Sequence, residues 1–135
     1  MGDGIVSVNN IKEMTLQDNL FTIVSQAQQD GLPAYQIRIH SEWPIYKAHF
    51  PGHPITPGVC IVQMIQELLQ VALQRKVILR KAKNVKYLSI ITPEEVSELT
   101  VSFTKIEAQP DGSLKVQAQV SGGETVYTKL SATFQ

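Results

Sequence analysis

The sequence predicts an α+β domain in which an antiparallel sheet wraps around one long central helix. Two observations predict it. Segments of two-residue apolar/polar alternation, separated by turn signals, lie on both sides of the chain's middle. Between them runs a single helical stretch that is apolar around most of its circumference, and such a helix is a buried one. At 135 residues the chain is long enough to bury a sizeable core as one domain, residues 1–135.

The elements follow in order. In "NLFTIVSQAQQ", Asn19 to Gln29, apolar Phe21 and Ile23 alternate with polar neighbours. "DGLP" is a turn signal, and "AYQIRIH", Ala34 to His40, alternates through Tyr35, Ile37 and Ile39, so the pair predicts an antiparallel hairpin. The preceding "VNNIKEMTLQ" is compatible with a short helix or a loop. "HFPGHPITPGV" places three prolines ahead of the helical stretch, which predicts a rigid loop that launches a helix with Pro57 in its first turn. "GVCIVQMIQELLQVALQRK", Gly58 to Lys76, has no Gly or Pro in its interior. Gln63, Gln66, Glu67, Gln70 and Gln74 recur at helical spacing and form one narrow polar stripe along it. "AKNVKYLSII" reads as a strand broken by "TPEE". "ELTVSFTKIEAQ" alternates through Leu99, Val101, Phe103 and Ile106, "PDGS" is a tight turn, and "LKVQAQVSGGETVYTKLSATF" gives two more strands about "GG".

Composition excludes several function classes. Acidic and basic residues balance at twelve each, and charged residues are 18% of the chain, too few for a disordered polyelectrolyte. One cysteine, Cys60, rules out an internal disulfide or a cysteine-rich metal site and reads as a small core residue. No apolar run is long enough to span a bilayer as a helix, so a cytoplasmic location is expected. Charge is nevertheless uneven. Arg75, Lys76, Arg80, Lys81, Lys83 and Lys86 crowd into "RKVILRKAKNVK", and no acid stands between Glu67 and Glu94. That cluster reads either as a solvated helix end and loop or as a docking patch for an anionic partner. Neither aromatic interleaving nor overall positive charge supports nucleic-acid binding.

"HFPGHPITPGV", with the polar residues that follow it on the helix, resembles the signature of the hotdog-fold (3R)-hydroxyacyl-acyl-carrier-protein dehydratases. The resemblance is strong from Glu42 to about Leu69, weaker in "NVKYLSIITPEE", and absent from the N-terminal segment, which implies a divergent member. It implies the hotdog fold, a homodimer or trimer of dimers, and no cofactor or metal. It further implies an acyl thioester on acyl carrier protein, or an acyl-CoA thioester, as substrate. The carrier is acidic and its pantetheine arm carries a phosphate, which gives the basic cluster a natural partner.

Carried over residue by residue, the resemblance makes His49 the general base and acid. Phe50, Pro57, Gly58 and Val59 fall beside the substrate, where N–H groups around Gly58 polarise the thioester carbonyl. The family's catalytic carboxylate falls on Gln63, which donates and accepts hydrogen bonds but supplies no proton. Family members often carry a carboxylate and then Gln four residues on; here Gln63 and Glu67 reverse that pair. Three readings stand: Glu67 carries the acid role, His49 works with a water held by Gln63, or the site binds acyl thioesters without turnover. A thioesterase, with Glu67 as base or nucleophile, is the alternative enzyme class, and a non-catalytic carrier-binding protein is the alternative outside enzymes.

Overall fold

The computed structural model describes residues 15–48, 52 and 54–135. Six strands form one antiparallel sheet in the order β1-β2-β4-β5-β6-β3: β1 Phe21–Gln29, β2 Leu32–Ile39, β3 Leu79–Tyr87, β4 Glu98–Ala108, β5 Leu114–Gly122 and β6 Thr125–Phe134. A one-turn helix, α1 (Ile45–Ala48), precedes the long helix α2 (Gly58–Leu73). This is the hotdog arrangement of sheet around helix, as the sequence predicts.

Period-two patterning does the sorting. On β5, Leu114, Val116, Ala118 and Val120 point inward, and on β6, Thr128, Leu130, Ala132 and Phe134 do so. They meet Ile61, Met64, Ile65, Leu68 and Leu69 of α2, all at most 3% exposed. The β1–β2 hairpin turns through Asp30 and Gly31, both at positive φ (54° and 80°), the geometry its "DG" pair suits.

Two expectations need correction. The helix ends at Leu73 rather than Lys76, because Gln74 turns left-handed (φ 58°) as its N–H caps the Gln70 carbonyl. The strand expected over "AKNVKYLSII" instead begins at Leu79 and stops at Tyr87. Arg80, Lys81, Lys83 and Lys86 therefore lie on an edge strand and not in a helix end or loop, while Arg75 and Lys76 stand exposed just beyond the helix. Of the segment left open between helix and loop, residues 15–17 enter a turn that runs on to residue 20, in which the Leu16 carbonyl accepts from Asn19, Leu20 and Phe21; the rest of that segment lies outside the described residues.

The polar stripe of α2 ties the chain to the helix. Gln66 Oε1 accepts the Leu79 N–H at 2.8 Å and Gln70 Oε1 accepts that of Val77 at 3.2 Å. These N–H groups belong to the chain as it leaves the helix and enters the edge strand. Gln74, further along, only touches the Val71 carbonyl of its own helix. Truncation of Gln66 strands a partly buried donor, costing about 1–3 kcal/mol. In urea unfolding, Gln66→Ala is expected to lose about that much stability, whereas Gln74→Ala stays within ~0.5 kcal/mol of the wild type.

Candidate functional site

The site begins where α2 begins. Pro57 precedes the helix in extended conformation (φ −61°, ψ 143°), and no side chain caps the first turn. The Pro57 carbonyl accepts from Cys60 and Ile61 at 3.0 and 3.2 Å. The N–H groups of Gly58 and Val59 have no acceptor within the helix, as its geometry requires, and carry the positive end of the helix dipole. Beside them opens a mainly apolar cleft of about 480 Å³, lined among others by Pro57, Gly58, Ile61, Tyr87, Leu88 and Ile90. It has the size and lining of a small-ligand site.

Tyr87 forms part of the cleft wall against Gly58. A Cβ on Gly58 would stand 2.7 Å from the Tyr87 ring and hydroxyl, so glycine is what lets the ring pass over the helix start. Burial raises the Tyr87 phenol above its ordinary value although the residue is half-exposed. Val59 is 75% exposed, and Leu88 and Ile90 also stand largely open. The helix start thus carries an uncovered apolar surface.

The loop that enters this helix is pinned at both ends. The Tyr46 hydroxyl and Thr56 Oγ1 share a buried hydrogen bond of 2.8 Å, and the Thr56 N–H donates to the Ile91 carbonyl at 2.8 Å. His49 and Phe50 lie between these anchors, outside the described residues. Burial, opposed by the Thr56 bond, pushes the Tyr46 phenol up to about 12. Cys60 is buried, which raises its thiol, and it serves the core as expected.

Further along α2 stand Gln63 and Glu67. Gln63 is half-buried and Glu67 is 4% exposed. Glu67 Oε1 accepts the N–H groups of Leu16 and Gln17, each at 2.9 Å, and Oε2 accepts Leu16 N–H at 2.7 Å and Gln63 Nε2 at 3.0 Å. The shared face expected for the two residues is present. Their bond also fixes the amide, since a carboxylate with N–H partners only accepts, so the Gln63 NH₂ must face it and Oε1 is left on the other side. No sequence pattern announces the Leu16 and Gln17 partners, some fifty positions away from Glu67. Nor does any signal place Tyr87 over Gly58.

The sheet, the central helix with its open first turn and the adjoining apolar cleft define a hotdog-fold protein. The sequence profile of the ApeI-like family, described as ApeI dehydratase, matches residues 25–126, and the chain belongs to that family. It is 31% identical to the 3-hydroxyacyl-[acyl-carrier-protein] dehydratase FabZ of Clostridium acetobutylicum over 94 residues, 64% of this chain and 66% of that protein. The FabZ of Levilactobacillus brevis is 26% identical over 135 residues, 90% of this chain and 88% of its own length. Other FabZ relatives match over about half of their length. The dehydratase heterocomplex ApeI:P of Xenorhabdus doucetiae superposes with a TM-score of 0.63 at 15% identity, over 83% of this chain and 95% of the other. A structure described as a putative thioesterase from Shewanella oneidensis superposes at 0.55 and 13% identity, over 99% and 97%. Both structural likenesses concern the fold alone.

Two measurements check this geometry. Gly58→Ala is expected to fold, because the Tyr87 side chain can swing away, but to disturb the cleft. In ligand or substrate titrations it should weaken binding about tenfold, and Tyr87→Ala added to it should recover most of the loss. For Tyr46, the folded pKa lies above the unfolded value of about 10. Its contribution is therefore complete below pH ~10 and disappears as pH rises through about 12. Urea unfolding across that window should show a steeper alkaline loss in wild type than in Tyr46→Phe.

Proposed function

We propose that this chain dehydrates a (3R)-hydroxyacyl thioester, carried on acyl carrier protein, to the trans-2-enoyl thioester. The observation that carries the reading is the helix start: two N–H groups without helical acceptors beside an apolar cleft, in a chain of a dehydratase family. Such donors stabilise the negative charge that develops on the thioester oxygen when the α-proton leaves. His49 accepts that proton from C2, the C2–C3 double bond forms, and the C3–O bond breaks. The same histidine returns the proton to the departing hydroxyl, so the net loss is one water.

In this reading Gln63 accepts a hydrogen bond from the substrate hydroxyl, or from a water beside it, through the Oε1 that Glu67 leaves outward. Glu67 is a positioning residue, with both oxygens engaged by Leu16, Gln17 and Gln63. Phe50, Pro57, Gly58 and Val59 line the acyl path. Arg75, Lys76, Arg80, Lys81, Lys83 and Lys86 meet the acidic carrier. Two copies complete the site, an arrangement supported by the open edge of β3 and by the exposed Val59, Tyr87, Leu88 and Ile90.

The test is enoyl-thioester formation from a (3R)-hydroxyacyl carrier protein, followed by absorbance. His49→Ala is expected to lower kcat by about 10²–10⁴-fold. Glu67→Gln, which frees the Gln63 amide to rotate, should lower kcat with KM little changed, and should also lower the Tm by loosening residues 15–17. Full activity in His49→Ala, or release of free thiol with no enoyl product, would defeat the reading.

A further inference from the structure

The outward face of the sheet is built from strands β3 to β6, and its register brings together residues far apart in sequence. Lys86 stands opposite Lys129, which stands opposite Gln119. The next row runs Asn84, Ser131, Gln117, Lys105. A third runs Lys81, Thr133, Lys115, Glu107. Lys83 joins Lys105 and Lys115 around a hollow of about 120 Å³, and Lys86 and Lys129 line a second of about 280 Å³. Six of the chain's twelve basic residues thus share one face with two strand carboxylates among the described residues: Glu107, which pairs with Lys105 at 3.8 Å, and Glu98 at the start of β4, which is taken by Arg38 of β2 at 3.1 Å.

The acyl carrier accounts for only half of this. Lys81, Lys83 and Lys86 stand on the edge strand β3, where the proposed function gives them to the carrier. Lys105, Lys115 and Lys129 stand on β4, β5 and β6, inside the sheet, and that reading does not use them. The Lys86–Lys129 register pair sets like charges directly opposite each other, an arrangement that weakens a sheet. Strands lie about 4.8 Å apart and the screening length is about 8 Å at physiological salt, so the fields of neighbouring lysines add. An anionic partner relieves the repulsion.

The geometry assigns the outward face around Lys105, Lys115 and Lys129 as a docking surface for an acidic protein other than the acyl carrier, on the side of the sheet opposite α2 and its cleft, where the sheet stands between the docked protein and the helix start. Charge complementarity selects the class, and the lining selects within it. Asn84, Gln117, Gln119 and Ser131 offer hydrogen bonds between the lysines, which suits carboxylate side chains entering shallow hollows. Neither hollow is lined by an aromatic or an arginine, so base stacking has no platform. None of the exposed large apolar side chains lies on the outward face of β4, β5 or β6, so the face has nothing to insert into a bilayer.

The test uses the full chain and fluorescein-labelled poly-L-glutamate, read by anisotropy at about 0.15 M salt. Lys115→Gln/Lys129→Gln should weaken binding at least about tenfold. Lys115→Arg/Lys129→Arg should restore it, and Arg38→Gln/Lys47→Gln, which removes the same charge outside strands β3 to β6, should change it less than twofold. Equal weakening by the two Gln pairs would overturn the assignment. So would tighter binding to phosphatidylserine vesicles or single-stranded DNA than to poly-glutamate. The probe carries no thioester, so the outcome stands apart from that of the dehydratase assay.

Discussion

The Glu67 carboxylate is the constraint on which much of this structure depends. It is buried in the middle of the core helix, where an unpaired charge would be too costly to keep. Three N–H groups from Leu16, Gln17 and Gln63 compensate it. Two of them are main-chain donors, so the chain entering β1 is held to the helix by its backbone, whatever side chains it carries. That places Leu16, Leu20 and Phe21 over the core. A neutral helix would pack against the sheet equally well but would leave this entry segment unanchored.

A similar division of labour runs through the rest of α2. Its apolar face supplies most of the stabilisation, as burial of large side chains does in any core. Its polar stripe supplies little net energy and much specification. Gln66 and Gln70 hold the start of β3 to the helix that precedes it, and β3 in turn carries Tyr87 to Gly58. The cleft therefore depends on amide contacts at the far end of the helix that makes its floor. The Tyr46–Thr56 bond serves the other wall, tying α1 to the residue just before the helix start.

The fold was legible because it rests on periodicity. Alternation in β2, β4, β5 and β6 and the apolar girth of Gly58 to Leu73 each point to one arrangement. The polar stripe was legible as a pattern, though its meaning was not: side-chain spacing says which residues share a face and nothing of what meets it. The helix terminus was missed by three residues because Gln74, Arg75 and Lys76 all favour helix, while the left-handed turn at Gln74 is imposed by the departing chain. The basic cluster was visible only along the sequence. Lys105, Lys115 and Lys129 are dispersed among polar neighbours, and it takes strand register to bring them beside Lys83 and Lys86. Of the candidate site, the motif marked the helix start, but Tyr87 is nearly thirty positions from Gly58 and no local signal links them.

The same reasoning explains why Gln63 and Glu67 must be considered together. Residues four apart on a helix are neighbours, and like charges there repel. With Glu67 fixed by the Leu16 and Gln17 N–H groups, a carboxylate at 63 would meet another carboxylate in a half-buried setting, with no donor between them. An amide at 63 supplies the donor instead. The helix face thus carries one carboxylate, one amide and a hydrogen bond between them. The amide oxygen is the end of the pair left free of that bond, and the charge sits one turn further on, where it secures the N-terminal segment. The two residues therefore act as one physical unit, and changing either alone would break the pair.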